Sequence, residues 1–198
     1  MLYGFARVLL HAFFKAAFRF EARGVSNIPA EGAAVLCSNH LSVLDPITIG
    51  IAVPRKVHYM AKEELFRIPG FGSLIRAVGA FPVKRGGVSK EAIKTAITLL
   101  REGKVMGIFP EGTRKGERIE GVAMGKRGAV SMAVRAGATV VPVAIVGDYR
   151  WFRKMVTVYG APLDLSPYLV KGEEDLDAAT DELMSRIREM IRTGQPTG

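Results

Sequence analysis

Cysteine is almost absent from this sequence: Cys37 is the only one among 198 residues. A single cysteine cannot form an intramolecular disulfide, and its place in the apolar run AAVLC predicts a small buried residue rather than a nucleophile. The three histidines show no metal-ligand spacing with one another or with the cysteine, so we expect no metal site. These scarcities argue against a disulfide scaffold, a thiol enzyme and a metalloprotein.

Motifs of several common protein classes are also missing. The sequence has no G-x-S-x-G segment that would present a nucleophilic serine on a sharp strand-to-helix turn. The segment GVAMGKR, residues 121–127, lacks both the spacing and the Ser or Thr of a phosphate-binding loop. Aromatic residues make up only 8% of the chain and do not interleave with basic ones, so we expect no nucleic acid as a partner.

The first twenty residues are apolar, but cations interrupt them. Arg7, His11, Lys15 and Arg19 recur every four residues, which places them on one stripe of a helix. Three cations would make a transmembrane helix costly, and a signal peptide carries its charge before an uncharged core. We therefore expect residues 1–20 to form an amphipathic helix in the membrane interface, with phenylalanines inserted and cations at the headgroups. The alternative is an ordinary amphipathic helix packed on the domain.

Positive charge is in excess and unevenly distributed. The formal net charge is +9, and residues 1–20 contain no acidic side chain. Residues 51–90 contain eight cations and two acids, whereas the last helical pattern is acidic. This asymmetry indicates an anionic partner on one side of the protein, such as an anionic bilayer or a phosphorylated substrate.

Short apolar runs alternate with helical patterns along the rest of the chain. The apolar runs predict strands at 33–39, 57–60, 80–83, 104–109, 139–146 and 155–160. The remaining patterns predict helices at 46–53, 88–102, 126–137 and 173–192, with a polar loop at 110–121. No linker or repeat divides the chain. We predict a single-domain α/β sandwich over residues 21–198, in which helices flank a mostly parallel central sheet, preceded by the helix at 1–20.

In SNHLSVLDP, residues 38–46, a histidine and an aspartate lie five residues apart between a strand end and a helix start. Pro46 suits the first helical position and Asp45 suits the N-cap, so the turn between them can bring Asp45 to His40. An aspartate bonded to one imidazole nitrogen fixes the tautomer and makes the other nitrogen a base. Because no serine or cysteine nucleophile is evident, a catalytic pair would act on a hydroxyl of the substrate. The alternative is a helix cap beside a strand-end histidine, and this motif alone does not decide between them.

Cations follow the neighbouring predicted strands. These are Lys62 after the strand at 57–60, Lys84 and Arg85 after the strand at 80–83, and Arg114 after the strand at 104–109. The planar fork of arginine suits phosphate oxygens, and Gly112 before Arg114 allows close approach to backbone N–H groups. Reacting groups of α/β folds collect beyond the carboxyl ends of strands, so we expect a phosphate-binding site there.

Together these segments resemble the motifs of the glycerolipid acyltransferase family. The family's four motifs occur in order as NHLSVLD (39–45), GAFPVKR (79–85), FPEGTR (109–114) and VVPVAI (140–145). One such motif would be weak, but four in order are highly specific. The resemblance implies transfer of an acyl group from acyl-CoA or acyl-carrier protein to the sn-2 hydroxyl of 1-acyl-glycerol-3-phosphate (lysophosphatidic acid), which gives phosphatidic acid.

The resemblance also implies roles for individual residues. His40 would be the general base for the acceptor hydroxyl, and Asp45 would orient it. The residues implied to bind the acceptor are Lys62, Arg85, Glu111, Gly112, Thr113 and Arg114. The arginines and the lysine would hold its phosphate, and the acyl thioester would be a co-substrate, with no cofactor or metal. The implied location is the cytoplasmic face of the cell membrane, where anionic bilayer lipids would be partners.

Two other hypotheses remain open at this point. The same fold could acylate a different lyso-lipid. A basic peripheral membrane protein without catalytic activity could also bind anionic lipids through the first helix. This last hypothesis accounts for the charge of the chain, but not for His40, Asp45 and Glu111.

Overall fold

The computed structural model of the protein describes residues 2–83, 90–112, 118–119, 122–123, 125–170 and 173–197. The α-helices are α1 (Leu2–Phe18), α2 (Asp45–Ala52), α3 (Phe71–Ala77), α4 (Lys90–Arg101), α5 (Gly128–Ala136) and α6 (Leu176–Thr193). The first strands are β1 (Glu21–Arg23), β2 (Ala34–Ser38), β3 (Val57–Lys62), β4 (Ala80–Val83), β5 (Val105–Ile108), β6 (Arg118–Ile119) and β7 (Val122–Ala123). They are followed by β8 (Thr139–Val146), β9 (Val156–Tyr159), β10 (Leu169–Val170) and β11 (Glu173–Glu174).

Seven strands form the central sheet, in the order β1-β9-β8-β2-β5-β3-β4. The strands from β8 to β4 are parallel to one another, whereas β9 runs antiparallel to β8 and β1 pairs with β9 in parallel. Every residue of β2 is buried, because β2 lies inside the sheet and is covered on both faces. The predicted α/β sandwich with a mostly parallel sheet is therefore confirmed.

Two apolar clusters cover the two faces of this sheet. One contains Leu100 of α4, Val130 of α5 and Leu183 of α6. The other contains Phe14 of α1 and Ile49 of α2. The sheet therefore lies between a layer of three helices and a layer formed by α1 and α2.

The predicted strands and helices are all present, with ends shifted by a few residues, but three details differ. Helix α2 begins at Asp45 with Leu44 in the N-cap position and no side-chain cap, so the prediction of Asp45 as a cap is wrong. Residues 173 and 174 form β11, and α6 begins later because Asp175 caps it by accepting from the Ala178 N–H. Strands β1, β6, β7 and β10 and helix α3 were not predicted, and β6 lies within the predicted polar loop at 110–121.

Cys37 lies in the middle of β2 and is fully buried. Burial raises the pKa of its thiol to about 12, because a thiolate would lose its hydration there. The prediction of a small buried residue is therefore confirmed.

Helix α1 packs on the domain through one face and exposes an apolar face on the other side. Phe14, Ala17 and Phe18 belong to the core. The large apolar side chains that remain exposed are Phe5, Val8, Leu9 and Phe13. The helix thus packs on the domain, as the alternative interpretation expects. Its expected contact with a membrane stays a prediction.

The polar stripe of α1 is only partly exposed. The Arg7 guanidinium donates to the Val53 carbonyl at 2.6 Å, and the His11 ring packs edge to face with Phe20. Of the predicted stripe residues that lie within the helix, Lys15 is exposed, whereas Arg7 and His11 are half-buried. Among the residues that the structure describes, no helix has both the length and the apolar composition to cross a membrane.

Candidate active site

The parallel strands bring the described members of the predicted polar clusters to one edge of the sheet. Strand β2 ends just before His40, and the neighbouring β5 ends just before the turn that contains Glu111. Strand β3 ends at Lys62, which is level with Val83 at the end of β4. Because parallel strands have their carboxyl ends at the same edge, these groups leave the sheet together.

His40 and Asp45 are in direct contact at this edge. The Nδ1 atom of His40 lies 2.7 Å from Oδ2 of Asp45, and the same oxygen accepts from the backbone N–H groups of Leu41 at 2.6 Å and Ser42 at 2.8 Å. The Asp45 side chain is fully buried, whereas that of His40 is 19% exposed. A carboxylate only accepts, so Nδ1 carries the proton of the neutral ring and Nε2 is the basic nitrogen.

The second oxygen of Asp45 is held by a residue far away in the sequence. The Tyr149 hydroxyl donates to Oδ1 of Asp45 at 2.7 Å and lies 2.6 Å from the Thr48 hydroxyl. Burial, and then the charge of Asp45, raise the pKa of Tyr149, so its hydroxyl keeps the proton that it donates. Asp45 is therefore anchored by both oxygens and aimed at His40, not at the first turn of α2.

Two buried polar side chains hold the backbone around His40. Oε1 of Glu111 accepts from the His40 backbone N–H at 3.1 Å. The side-chain amide of Asn39 donates to the Ile145 carbonyl at 3.1 Å and accepts from the Ile145 N–H at 2.8 Å. The loop after β2 is thus fixed by the turn after β5 and by β8. The predicted contribution of Glu111 to an acceptor pocket stays a prediction.

The imidazole plane is set by an aromatic neighbour. The ring of Phe109 stacks on His40 with centroids 4.0 Å apart and planes inclined by 16°. Tyr59 lies beyond Phe109 in a similar orientation, at 6.5 Å between centroids. Since the stack fixes the ring plane and Asp45 fixes Nδ1, the direction of Nε2 is also fixed.

The predicted phosphate-binding residues are placed in part. Lys62 is exposed at the carboxyl end of β3. Gly112 has a φ of 68°, a left-handed conformation that lets the chain turn after Glu111. The Lys126 side chain reaches within 3.5 Å of the position that a Cβ at Gly112 would occupy, so it adds a cation that the sequence analysis did not select. Arg85, Thr113 and Arg114, together with Lys84, lie outside the described residues.

Further residues around the pair had no role predicted from the sequence. Phe109 and Asn39 lie inside the quoted motifs, next to residues that the motifs single out. No motif or pattern in the sequence indicates a role for Tyr149. It is separated from Asp45 by 104 positions, and only the fold brings the two together.

Comparisons with known proteins agree with this fold and with this arrangement of motifs. Residues 19–146 match the model of the Acyltransferase family. The chain is 39% identical over 171 residues to the 1-acyl-sn-glycerol-3-phosphate acyltransferase of Bacillus subtilis (strain 168), covering 83% of this chain and 84% of that protein. It is 29% identical over 143 residues to a protein of the same name from Borreliella burgdorferi, covering 71% of this chain and 56% of that one.

A solved structure resembles most of this chain. The crystal structure of the 1-acyl-sn-glycerophosphate (LPA) acyltransferase PlsC from Thermotoga maritima matches with a TM-score of 0.70 and 26% identity, covering 87% of this chain and 70% of that one. The family match at 19–146 includes the elements that carry His40, Asp45 and Glu111. This chain therefore belongs to the acyltransferase family and is an O-acyltransferase.

Proposed function

We propose that this acyltransferase moves a fatty acyl group from acyl-CoA or acyl-carrier protein to the sn-2 hydroxyl of 1-acyl-glycerol-3-phosphate, giving phosphatidic acid. The observation that carries this proposal is the buried Asp45, held by both oxygens and bonded to Nδ1 of a partly exposed His40. The names of the relatives from B. subtilis and T. maritima support the choice of acceptor.

His40 is the proposed general base. Its Nε2 takes the proton of the acceptor hydroxyl while the oxygen attacks the thioester carbonyl. A carbon–oxygen bond forms, the carbon–sulfur bond breaks, and the imidazolium returns the proton to the departing thiolate. The Asp45 carboxylate stabilises the imidazolium during this step. The acyl group passes directly to the acceptor, and the reaction needs no cofactor or metal.

Cations at the end of β3 and after β4 and β5 along the sequence suit a phosphorylated acceptor. The residues proposed to bind it are Lys62, Arg85, Glu111, Gly112, Thr113 and Arg114. Arginine forks pair with two phosphate oxygens at once, and lysine adds a point charge. The position of Lys126 beside Gly112 adds positive charge next to this loop.

The acceptor carries an acyl chain, so we propose that the enzyme works at a bilayer surface. The exposed apolar face of α1, with Phe5, Leu9 and Phe13, suits insertion between lipid headgroups. Lys15 and Arg19 at its end suit contact with anionic lipid phosphates. The proposed location is the cytoplasmic face of the cell membrane, with peripheral attachment.

The test measures thiol release and lipid product with purified protein, acyl-CoA or acyl-carrier protein, and a panel of lyso-lipids. His40→Ala is expected to abolish turnover. His58→Ala is the matched control, because His58 lies at the amino end of β3 and its Nδ1 is 3.1 Å from the Gly79 carbonyl. Near-normal turnover by a folded His40→Ala variant would refute the mechanism. A better rate with a lyso-lipid that lacks the glycerol phosphate would refute the proposed acceptor.

A further inference from the structure

A pair of exposed aromatic side chains lies next to α1, in the loop between β8 and β9. Trp151 is 63% exposed and Phe152 is 72% exposed. The Trp151 ring stacks on Phe18 at 5.6 Å and meets Phe13 edge to face at 6.2 Å. The Phe152 N–H donates to the Ala17 carbonyl at 2.7 Å. The loop is therefore joined to the carboxyl end of α1, and its aromatic pair extends the exposed apolar face of that helix.

The conformation of the loop holds this pair outward. Phe152 has a φ of 61°, in the left-handed region that a bulky residue rarely adopts. The Arg153 N–H donates to the Arg150 carbonyl at 3.1 Å, which closes a turn around the aromatic pair. Two large aromatic side chains held in water by a strained turn indicate a surface that something covers.

Exposed cations flank the aromatic pair in the loop and lie at the carboxyl end of α1. They are Lys15, Arg19, Arg150, Arg153 and Lys154. Arg150 pairs with Asp148 at 3.1 Å and Lys154 pairs with Glu21 at 2.7 Å. The other three cations have no ion-pair partner within the described part of the chain. A second copy of this protein would bring like charges together here, whereas an anionic lipid surface complements them.

We propose that residues 147–154 are a second bilayer-contacting element, in which Trp151 and Phe152 insert between the headgroups of anionic lipids beside α1. Tryptophan favours this interfacial depth, and the surrounding cations meet lipid phosphates. The same loop carries Tyr149, whose hydroxyl bonds Asp45 and whose ring packs edge to face with Phe18 at 6.0 Å. The proposed bilayer contact is thus linked to the candidate active site through the side chain of Tyr149. This second contact rests on the proposed attachment to a bilayer and adds to that of α1.

Trp151 is the only tryptophan of the chain, so its fluorescence reports on this loop alone. With vesicles of phosphatidylglycerol and phosphatidylcholine, we expect a blue shift of its emission and quenching by brominated lipids. Vesicles of phosphatidylcholine alone are expected to give a much smaller response. An unchanged emission maximum, or an equal response to both kinds of vesicle, would overturn the proposal. A blue shift that grows with protein concentration without vesicles would indicate self-association and would also overturn it.

A double variant provides an independent test. Trp151→Ser with Phe152→Asn removes both rings, and asparagine tolerates the left-handed backbone at 152. Losing the insertion of two aromatic side chains is expected to weaken partitioning to the anionic vesicles by about 10- to 100-fold. Turnover of a water-soluble, short-chain lyso-acceptor is expected to stay unchanged, because neither ring touches His40 or Asp45.

Val170→Ser is the matched control, since Val170 is equally exposed at 63% but lies on β10, two residues after Tyr168, which packs against the cluster that contains α4, α5 and α6. Partitioning of the control is expected to equal that of the unmodified protein. Unchanged partitioning of the double variant, or an equal loss in the control, would contradict the proposal. Vesicle binding is measured without an acyl donor, so this result is independent of whether the proposed reaction is correct.

Discussion

Asp45→Asn tests the role of the buried carboxylate, because the structure determines how an asparagine would sit. Three donors converge on Oδ2 of Asp45: Nδ1 of His40 and the N–H groups of Leu41 and Ser42. The carbonyl oxygen of the introduced asparagine must take this position, since an NH2 group there would face three donors. The NH2 group of that asparagine then points at the Tyr149 oxygen. The variant therefore keeps the His40 tautomer, removes the negative charge and reverses the hydrogen bond with Tyr149, whose proton can turn to the Thr48 hydroxyl.

The cost of removing this charge follows from the geometry of the pair. With Nδ1 and Oδ2 2.7 Å apart, the charge centres of an imidazolium and a carboxylate are about 4 Å apart, which is worth about 4 kcal/mol at an effective dielectric constant of about 20. A neutral hydrogen bond retains about 1 kcal/mol of this. A net loss of about 2–3 kcal/mol in the transition state corresponds to a kcat that is roughly 30- to 150-fold lower. KM is expected to change little, because the ring is neutral before proton transfer.

The assay is steady-state thiol release, with thermal unfolding followed by circular dichroism on the same samples. Weaker bonds to Leu41 and Ser42 are expected to lower stability by about 1–2 kcal/mol, or Tm by about 2–8 °C. Asp177→Asn is the control, since Asp177 is an exposed carboxylate of α6 that lies 3.8 Å from Arg127. A kcat within a few-fold of the unmodified enzyme would refute the stabilisation of an imidazolium by Asp45. A loss of activity fully explained by unfolding of the variant would refute it as well.

Three further predictions concern groups around this pair. Tyr149→Phe removes the donor to Oδ1 of Asp45, so kcat is expected to fall by about tenfold or more with KM unchanged, and an unaltered kcat would contradict this. Glu111→Ala leaves the His40 N–H without this acceptor and is expected to lower the unfolding free energy by about 1–3 kcal/mol in urea titrations, whereas Glu111→Gln should restore most of it. Cys37 is expected to resist iodoacetamide in the native enzyme, and Cys37→Ala should retain turnover; rapid labelling with loss of activity would be inconsistent with its burial.

Local patterns were sufficient for most of the fold. The apolar runs around β2, β5 and β8 are long enough to show that these strands are buried, and the alternation with helices predicts a parallel sheet. Strand β1 has three residues, which are too few to show an alternation of apolar and polar side chains. It forms because it pairs with β9. Helix α3 buries only Gly72, so it has no apolar stripe that a sequence pattern would reveal.

The candidate site was predictable where its residues are close in sequence. The turn between β2 and α2 is short, so the contact of His40 with Asp45 follows from local geometry. The prediction of Asp45 as a cap was wrong because its carboxylate accepts from the backbone N–H groups of Leu41 and Ser42, which precede the helix. A capping carboxylate would accept from N–H groups in the first turn of the helix. Tyr149 could not be predicted, since its contact depends on how β8 lies beside β2 in the sheet.

The sequence by itself determined the order of the main strands and helices and the burial of Cys37, and it placed Asp45 within reach of His40, because each depends on residues that are neighbours along the chain. Only the tertiary structure decided how the Asp45 carboxylate is held, since the oxygen that does not face the imidazole accepts from Tyr149 of a distant loop. It also decided the rotation of α1. A helix with apolar residues on several faces can pack in several orientations. One orientation is selected by the hydrogen bond from Arg7 to the Val53 carbonyl and by the burial of Phe14 and Phe18.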